Sequence, residues 1–89
     1  MPILVCTRHL ANIGPCEPVE FDGGDVRAVL DAAAKDHPRL KSYVLDDHGV
    51  LRKHVVIFID GVMQKRAGVL DAPLLQGSEV CVFQALSGG

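Results

Sequence analysis

The chain has no Cys-x-x-Cys spacing, and its three cysteines, Cys6, Cys16 and Cys81, are odd in number. That combination argues against a disulfide framework and against a closed zinc site. In a reducing compartment the three read as small apolar side chains, buried or half-buried. A long apolar run is also missing. Val55–Ile59 is the longest, far short of the roughly 20 residues that span a bilayer as a helix. The residues after Met1 lack the basic flank and apolar stretch of a secretory signal. The expectation is a cytoplasmic protein with no membrane partner. Nor is there an excess of positive charge: 9 Lys and Arg stand against 11 Asp and Glu, a net charge of −2. Scattered in this way, the charges leave no footprint for a nucleic-acid backbone. No internal repeat and no low-complexity segment interrupts the 89 residues, a length that makes one domain with one modest core.

The histidines add no catalytic pattern. His9, His37, His48 and His54 are dispersed, no Cys–His pair sits in a recognisable motif, and no cluster supplies the third and fourth ligands of a metal site. They read as solvent-facing imidazoles. Gly23-Gly24 lacks the spacing of a phosphate-binding loop and reads as a turn.

What is present is a regular alternation of short elements. Ile3-Leu4-Val5-Cys6-Thr7 has strand composition, with Ile3, Val5 and Thr7 on one face and Leu4 and Cys6 on the other. Turn residues Asn12-Ile13-Gly14-Pro15 lead to a second strand around Val19-Glu20-Phe21, which makes an opening hairpin. Asp25 is placed to cap a helix whose apolar stripe is Val26, Val29, Leu30 and Ala33, at i, i+3, i+4 and i+7. Pro38 stops that helix near Asp36-His37. Leu40, Tyr43, Val44 and Leu45 fit either a short helical turn or a packed loop. The β-branched run Val55–Ile59 is the clearest strand, and Asp60-Gly61 turns it back into Val62-Met63-Gln64. Residues 66–75 read as irregular, and residues 80–84 as the last strand. One helix must then cover one face of a mixed sheet of four to five strands, with the first and last strands parallel in its middle. This is an α+β, β-grasp arrangement.

The pleat singles out a patch. If Val55, Ile57, Ile59, Val80 and Val82 face the helix, then Val56, Phe58, Cys81 and Phe83 must face the other way. A solvated sheet face normally carries polar residues, so this apolar set predicts a docking surface for a partner.

The chain ends Leu86-Ser87-Gly88-Gly89. Glycines without a Cβ lie extended in a channel too narrow for other residues and present a bare carboxylate on a thin arm. Residues 1–84 are expected to form the domain and residues 85–89 a flexible arm, too poor in large side chains to pack on its own core. The order of elements, the Asp60-Gly61 turn, the stretch Leu75-Gln76-Gly77-Ser78-Glu79-Val80 and the terminal Gly88-Gly89 together resemble the ubiquitin-like sulfur carrier proteins. Within that group the chain is similar to the molybdopterin synthase small subunit and thiamine sulfur carrier family, and most to the cysteine-biosynthesis sulfur carrier type.

The resemblance implies a protein substrate rather than an enzyme. A ubiquitin-activating-type enzyme would use ATP to adenylate Gly89, sulfur would displace AMP to leave a thiocarboxylate, and a sulfur-accepting synthase would consume it. Leu86, Ser87 and Gly88 would govern access to the channel, and the chain itself would bind no cofactor. A ubiquitin-like modifier that forms isopeptide bonds through Gly89 uses the same activated carboxylate and stands as the alternative. A β-grasp interaction domain with an inert tail is a third reading.

Overall fold

The first and last strands lie side by side and parallel. β1 (Ile3–Cys6) pairs with β5 (Glu79–Gln84) in the register Ile3 to Glu79, Leu4 to Val80, Val5 to Cys81 and Cys6 to Val82. The computed structural model describes residues 1–84 apart from Ala11 and the side chain of His9. The expected arm, with Leu86, Ser87, Gly88 and Gly89, lies outside the described residues.

Around this parallel pair the sheet grows by short antiparallel steps. β2 (Val19–Glu20) flanks β1, β3 (Val55–Ile59) flanks β5, and β4 (Val62–Met63) closes the far edge, giving the order β2-β1-β5-β3-β4. The turn from β3 to β4 places Asp60 at φ 51° and Gly61 at φ 83°. Two consecutive positive φ values match the right-handed twist of a two-residue hairpin, which is why Asp-Gly stands there.

Helix α1 (Val26–Ala34) begins where the Asp25 carboxylate accepts from the Ala28 N–H at 2.8 Å. Its stripe of Val26, Val29, Leu30 and Ala33 is buried against the sheet's inner face, where Leu4, Cys6, Val55, Ile57, Val80 and Val82 meet it. Fully burying a Val or Leu side chain is worth about 1.5–3 kcal/mol relative to leaving it exposed, so this stripe fixes which face of the sheet is inside. The ambiguous segment after Pro38 resolves as a five-residue helix, α2 (Leu40–Val44), with Leu40 and Val44 buried.

Three expectations need correction. Residues 66–75 are not wholly irregular: Gly68, at φ 83°, starts a 3₁₀ turn over Val69–Asp71 that delivers Val69 and Leu70 to the core. Cys16 is exposed, because the loop that carries it runs outside β1, whereas Cys6 is buried and Cys81 half-buried. His37 and His54 are half-buried rather than solvent-facing, the His54 ring meeting Tyr43 edge-on at 5.1 Å.

Candidate functional site

On the face turned away from α1, register brings the four predicted patch residues into a block. Val56 is directly opposite Phe83, and Phe58 directly opposite Cys81. Residues paired in this way share a face, and the diagonal pair Phe58 and Phe83 has ring centroids 4.9 Å apart, tilted by 54°. Val56, Phe58 and Cys81 are half-buried, while Phe83 is 38% exposed.

The block is wider than the sequence indicated. Cys81 is also the partner of Val5, and Phe58 is the partner of Met63. An apolar row Val5, Cys81, Phe58, Met63 therefore crosses four strands, ending in a methionine that is 62% exposed. Val5 and Met63 were missed because their side depends on which residues they oppose. For Val5 that is a partner 76 positions away along the chain. The signal for Met63 was available: a two-residue turn at Asp60-Gly61 sets Phe58 opposite Met63.

Neither thiol near this face is poised as a nucleophile. Burial, and then the Glu79 carboxylate, push the Cys81 thiol above its ordinary range. Cys6 is pushed up to about 12, by burial first and then by Cys81 and Cys16. Both are neutral thiols at neutral pH, and the thiolate is the reactive form. Among the described residues no group of three His, Cys, Asp or Glu side chains is arranged to hold a metal.

The far side of the molecule carries a polar groove, between α1, α2 and the following loop, lined by Arg27, Asp31, Lys41, Asp46 and Arg52 among others. Several of its charges are occupied locally. Lys41 pairs with Asp31 at 2.7 Å, Arg52 Nε donates to the Ser42 carbonyl at 3.0 Å, and Asp46 accepts from its own loop.

The root of the C-terminal segment is the end of β5, where Gln84 is the Cα partner of Val55. This corner is tied down by Arg66. Its guanidinium donates to the carbonyl of Val55 at 3.1 Å, to that of Lys53 at 3.5 Å, and to that of Leu51. Three carbonyls at alternate positions are thereby satisfied by one side chain where β4 is too short to reach. The strand that abuts the root is thus held at its start.

Similarity to known proteins agrees with this architecture. Residues 10–89 match the ThiS family. No curated protein sequence matches the chain. Among solved structures, SAMP1 from Haloferax volcanii is 28% identical over 99% of this chain and 98% of its own, with a TM-score of 0.75. CysO in the Amycolatopsis orientalis BexX/CysO complex aligns over 100% of both chains at 19% identity and a TM-score of 0.85. Mycobacterium tuberculosis CysO aligns over 97% of this chain and 100% of its own, at 17% identity and a TM-score of 0.82. With the family match covering nearly the whole length and the β-grasp strand order in place, the chain belongs to the ThiS family, the ubiquitin-like sulfur carriers that its sequence resembles.

Proposed function

We propose that this chain is a sulfur carrier: a protein co-substrate whose Gly89 carboxylate is activated by a partner enzyme and converted to a thiocarboxylate. The observation that carries the reading is the match to the ThiS family in a chain whose sequence, after the central strand β5 and Ala85, reads Leu86-Ser87-Gly88-Gly89. A carboxylate is a poor electrophile. Attack of its oxygen on the α-phosphorus of ATP expels pyrophosphate and gives an acyl adenylate. A hydrosulfide then adds to the carbonyl carbon and AMP leaves, so sulfur replaces one carboxylate oxygen. ATP is used by the activating partner and the carrier holds no cofactor. The thiocarboxylate next serves a sulfur-accepting synthase, whose closed site excludes water from the reacting atoms.

In this reading the Val56, Phe58, Cys81 and Phe83 face docks on the partners, Leu86 fills an apolar spot at the channel mouth, Ser87 is a spacer, and Gly88 and Gly89 pass the narrow part. The Amycolatopsis orientalis structure pairs CysO with BexX, and association with a larger partner is proposed for this chain too. Intact-mass measurement after incubation with the cognate adenylating enzyme, ATP and sulfide tests the reading. Wild-type protein should gain the difference between sulfur and oxygen, and the Gly89 deletion should not. Equal gain by the deletion variant would refute it.

A second reading has an observation of its own. The Haloferax volcanii relative is called small archaeal modifier protein 1, and its 28% identity over almost the full length favours conjugation to lysines through the same activated carboxylate. High-mass conjugates in cells, with isopeptide links from Gly89 and lost on its deletion, would identify that use.

A further inference from the structure

The sheet is electrically polarised along its strands. At the end remote from the C-terminal root, Glu20 pairs with Ile3, Ile3 pairs with Glu79, and Glu79 N–H bonds to the Asp60 carboxylate at 2.8 Å. That edge presents three exposed carboxylates in a line across the sheet. At the opposite end, where β5 finishes, stand three exposed basic residues, Arg8, Lys53 and Arg66. Thr7 N–H donates to the Val82 carbonyl at 3.1 Å, which sets exposed Arg8 on one side of the end of β5. On the other side Val55 is the partner of Gln84, and exposed Lys53 is two residues before it. Arg66 is fixed there by its bonds to Val55, Lys53 and Leu51. Exposed Glu17 follows in the segment along the outer side of β1, where Cys6 N–H bonds to the Pro15 carbonyl.

We propose that Arg8, Lys53 and Arg66 form a cationic collar around the root of the C-terminal segment and that this collar docks on an acidic rim at the mouth of the activating enzyme's channel. The inference rests on the adenylation reading above and adds the chemistry of the partner surface. Five residues beyond Gln84 reach at most about 17 Å when fully extended. When Gly89 is at the reacting phosphate inside the partner, the collar must therefore be at the partner's surface. Its complement is protein carboxylate rather than nucleotide. A long polyanion is disfavoured because the net charge is −2 and the Glu20, Glu79 and Asp60 end would be repelled. A local acidic rim suits the charge separation, attracting the root and turning the opposite end away. Complementary charge of this kind acts mainly on encounter rate and orientation.

Pyrophosphate release by the cognate adenylating enzyme, measured at low carrier concentration, tests the collar. The Arg8→Glu/Lys53→Glu variant should lose about tenfold or more in kcat/KM at low salt while keeping kcat at saturation. The loss should largely vanish near ~1 M salt, where screening acts within about 3 Å. Glu20→Gln, at the opposite end, should be indistinguishable from wild type. An unchanged kcat/KM in the double variant, or an equal loss in Glu20→Gln, overturns the collar. A second measurement stands apart from turnover: titration of labelled protein with a hexaglutamate peptide and with a single-stranded oligonucleotide. Amide shifts confined to the neighbourhood of Arg8, Lys53 and Arg66 with the peptide support the collar even if adenylation itself is never seen. Shifts spread equally over Arg27, Lys35 and Arg39, or tighter binding of the oligonucleotide, overturn it.

Discussion

Phe58 and Phe83 stack diagonally across β3 and β5, their ring centroids 4.9 Å apart, on the sheet face that α1 does not cover. An aromatic pair of this geometry contributes about 0.5–1.5 kcal/mol beyond its buried area. Phe83 is nonetheless 38% exposed, so its larger role is expected at a partner surface. Phe83→Ala should lower folding stability by about 1 kcal/mol. It should raise KM for the adenylating enzyme by about tenfold, since a central aromatic anchor is worth upward of about 1–2 kcal/mol in an interface. Urea titration and initial-rate kinetics separate the two effects. An unchanged KM would remove this face from the docking surface.

The thiols should label in a fixed order. Cys16 is exposed and Cys81 half-buried, while Cys6 is buried with its thiol pushed up to about 12. N-ethylmaleimide at neutral pH should modify Cys16 first and Cys81 slowly. Cys6 should react only when the chain unfolds, because the thiolate is the attacking form and burial denies access to it. A folded-state pKa above the ordinary 9.0 means that Cys6 stabilises the fold fully below that value and loses the contribution as pH rises toward about 12. Peptide mapping of the labelled protein checks the order.

How much of this was legible depended on whether the information was local. The stripe Val26, Val29, Leu30, Ala33, the cap at Asp25 and the Asp60-Gly61 turn each depend on residues within one or two turns, and all three were readable. Alternation along residues 80–84 and Val55–Ile59 put Val56, Phe58, Cys81 and Phe83 on one face for the same reason. Leu40, Tyr43, Val44 and Leu45 span too few residues to separate a helical period from a packed loop. Val69 and Leu70 enter the core because Gly68 turns the chain inward, which composition alone did not reveal. The strand order was readable but the register was not: Val5 is placed by the register of β1 on β5, and Lys53 and Arg66 by that of β3 on β5, which no local pattern sets. Cys16 was misjudged because residue type predicts average burial, whereas its position in the loop outside β1 decides the actual one.

The loop after α2 should loosen in acid. The Asp46 carboxylate accepts from the Val50 N–H at 3.0 Å and the His48 N–H at 2.8 Å, and these bonds hold its pKa below the ordinary 3.8. A depressed folded-state pKa means that the contribution is present above about 3.8 and is lost as pH falls through the lower, folded value. Amide exchange at His48 and Val50, compared with that at Ile57 and Phe58 in the sheet, should accelerate selectively in that acid range. Asp46→Asn keeps an acceptor but no charge, and should flatten the acid dependence.

Gly14 should tolerate no side chain. A Cβ built there would stand 2.7 Å from Cys6 Sγ and 3.1 Å from Leu40 Cδ1. The first contact is too short for the thiol to remain in place, and Cys6 is in the core beneath β1, with little room to turn. Overpacking of this kind costs about 1–3 kcal/mol, so Gly14→Ala should lower the urea midpoint accordingly. Cys6→Ala removes the sulfur that blocks the new methyl group. The double variant Gly14→Ala/Cys6→Ala should therefore be more stable than the sum of the two single losses predicts, a coupling of about 0.5–3 kcal/mol for residues in contact. Strict additivity would mean that the strain at Gly14 comes from Leu40 or from the backbone instead, and rescue in a Leu40→Val background would single out Leu40.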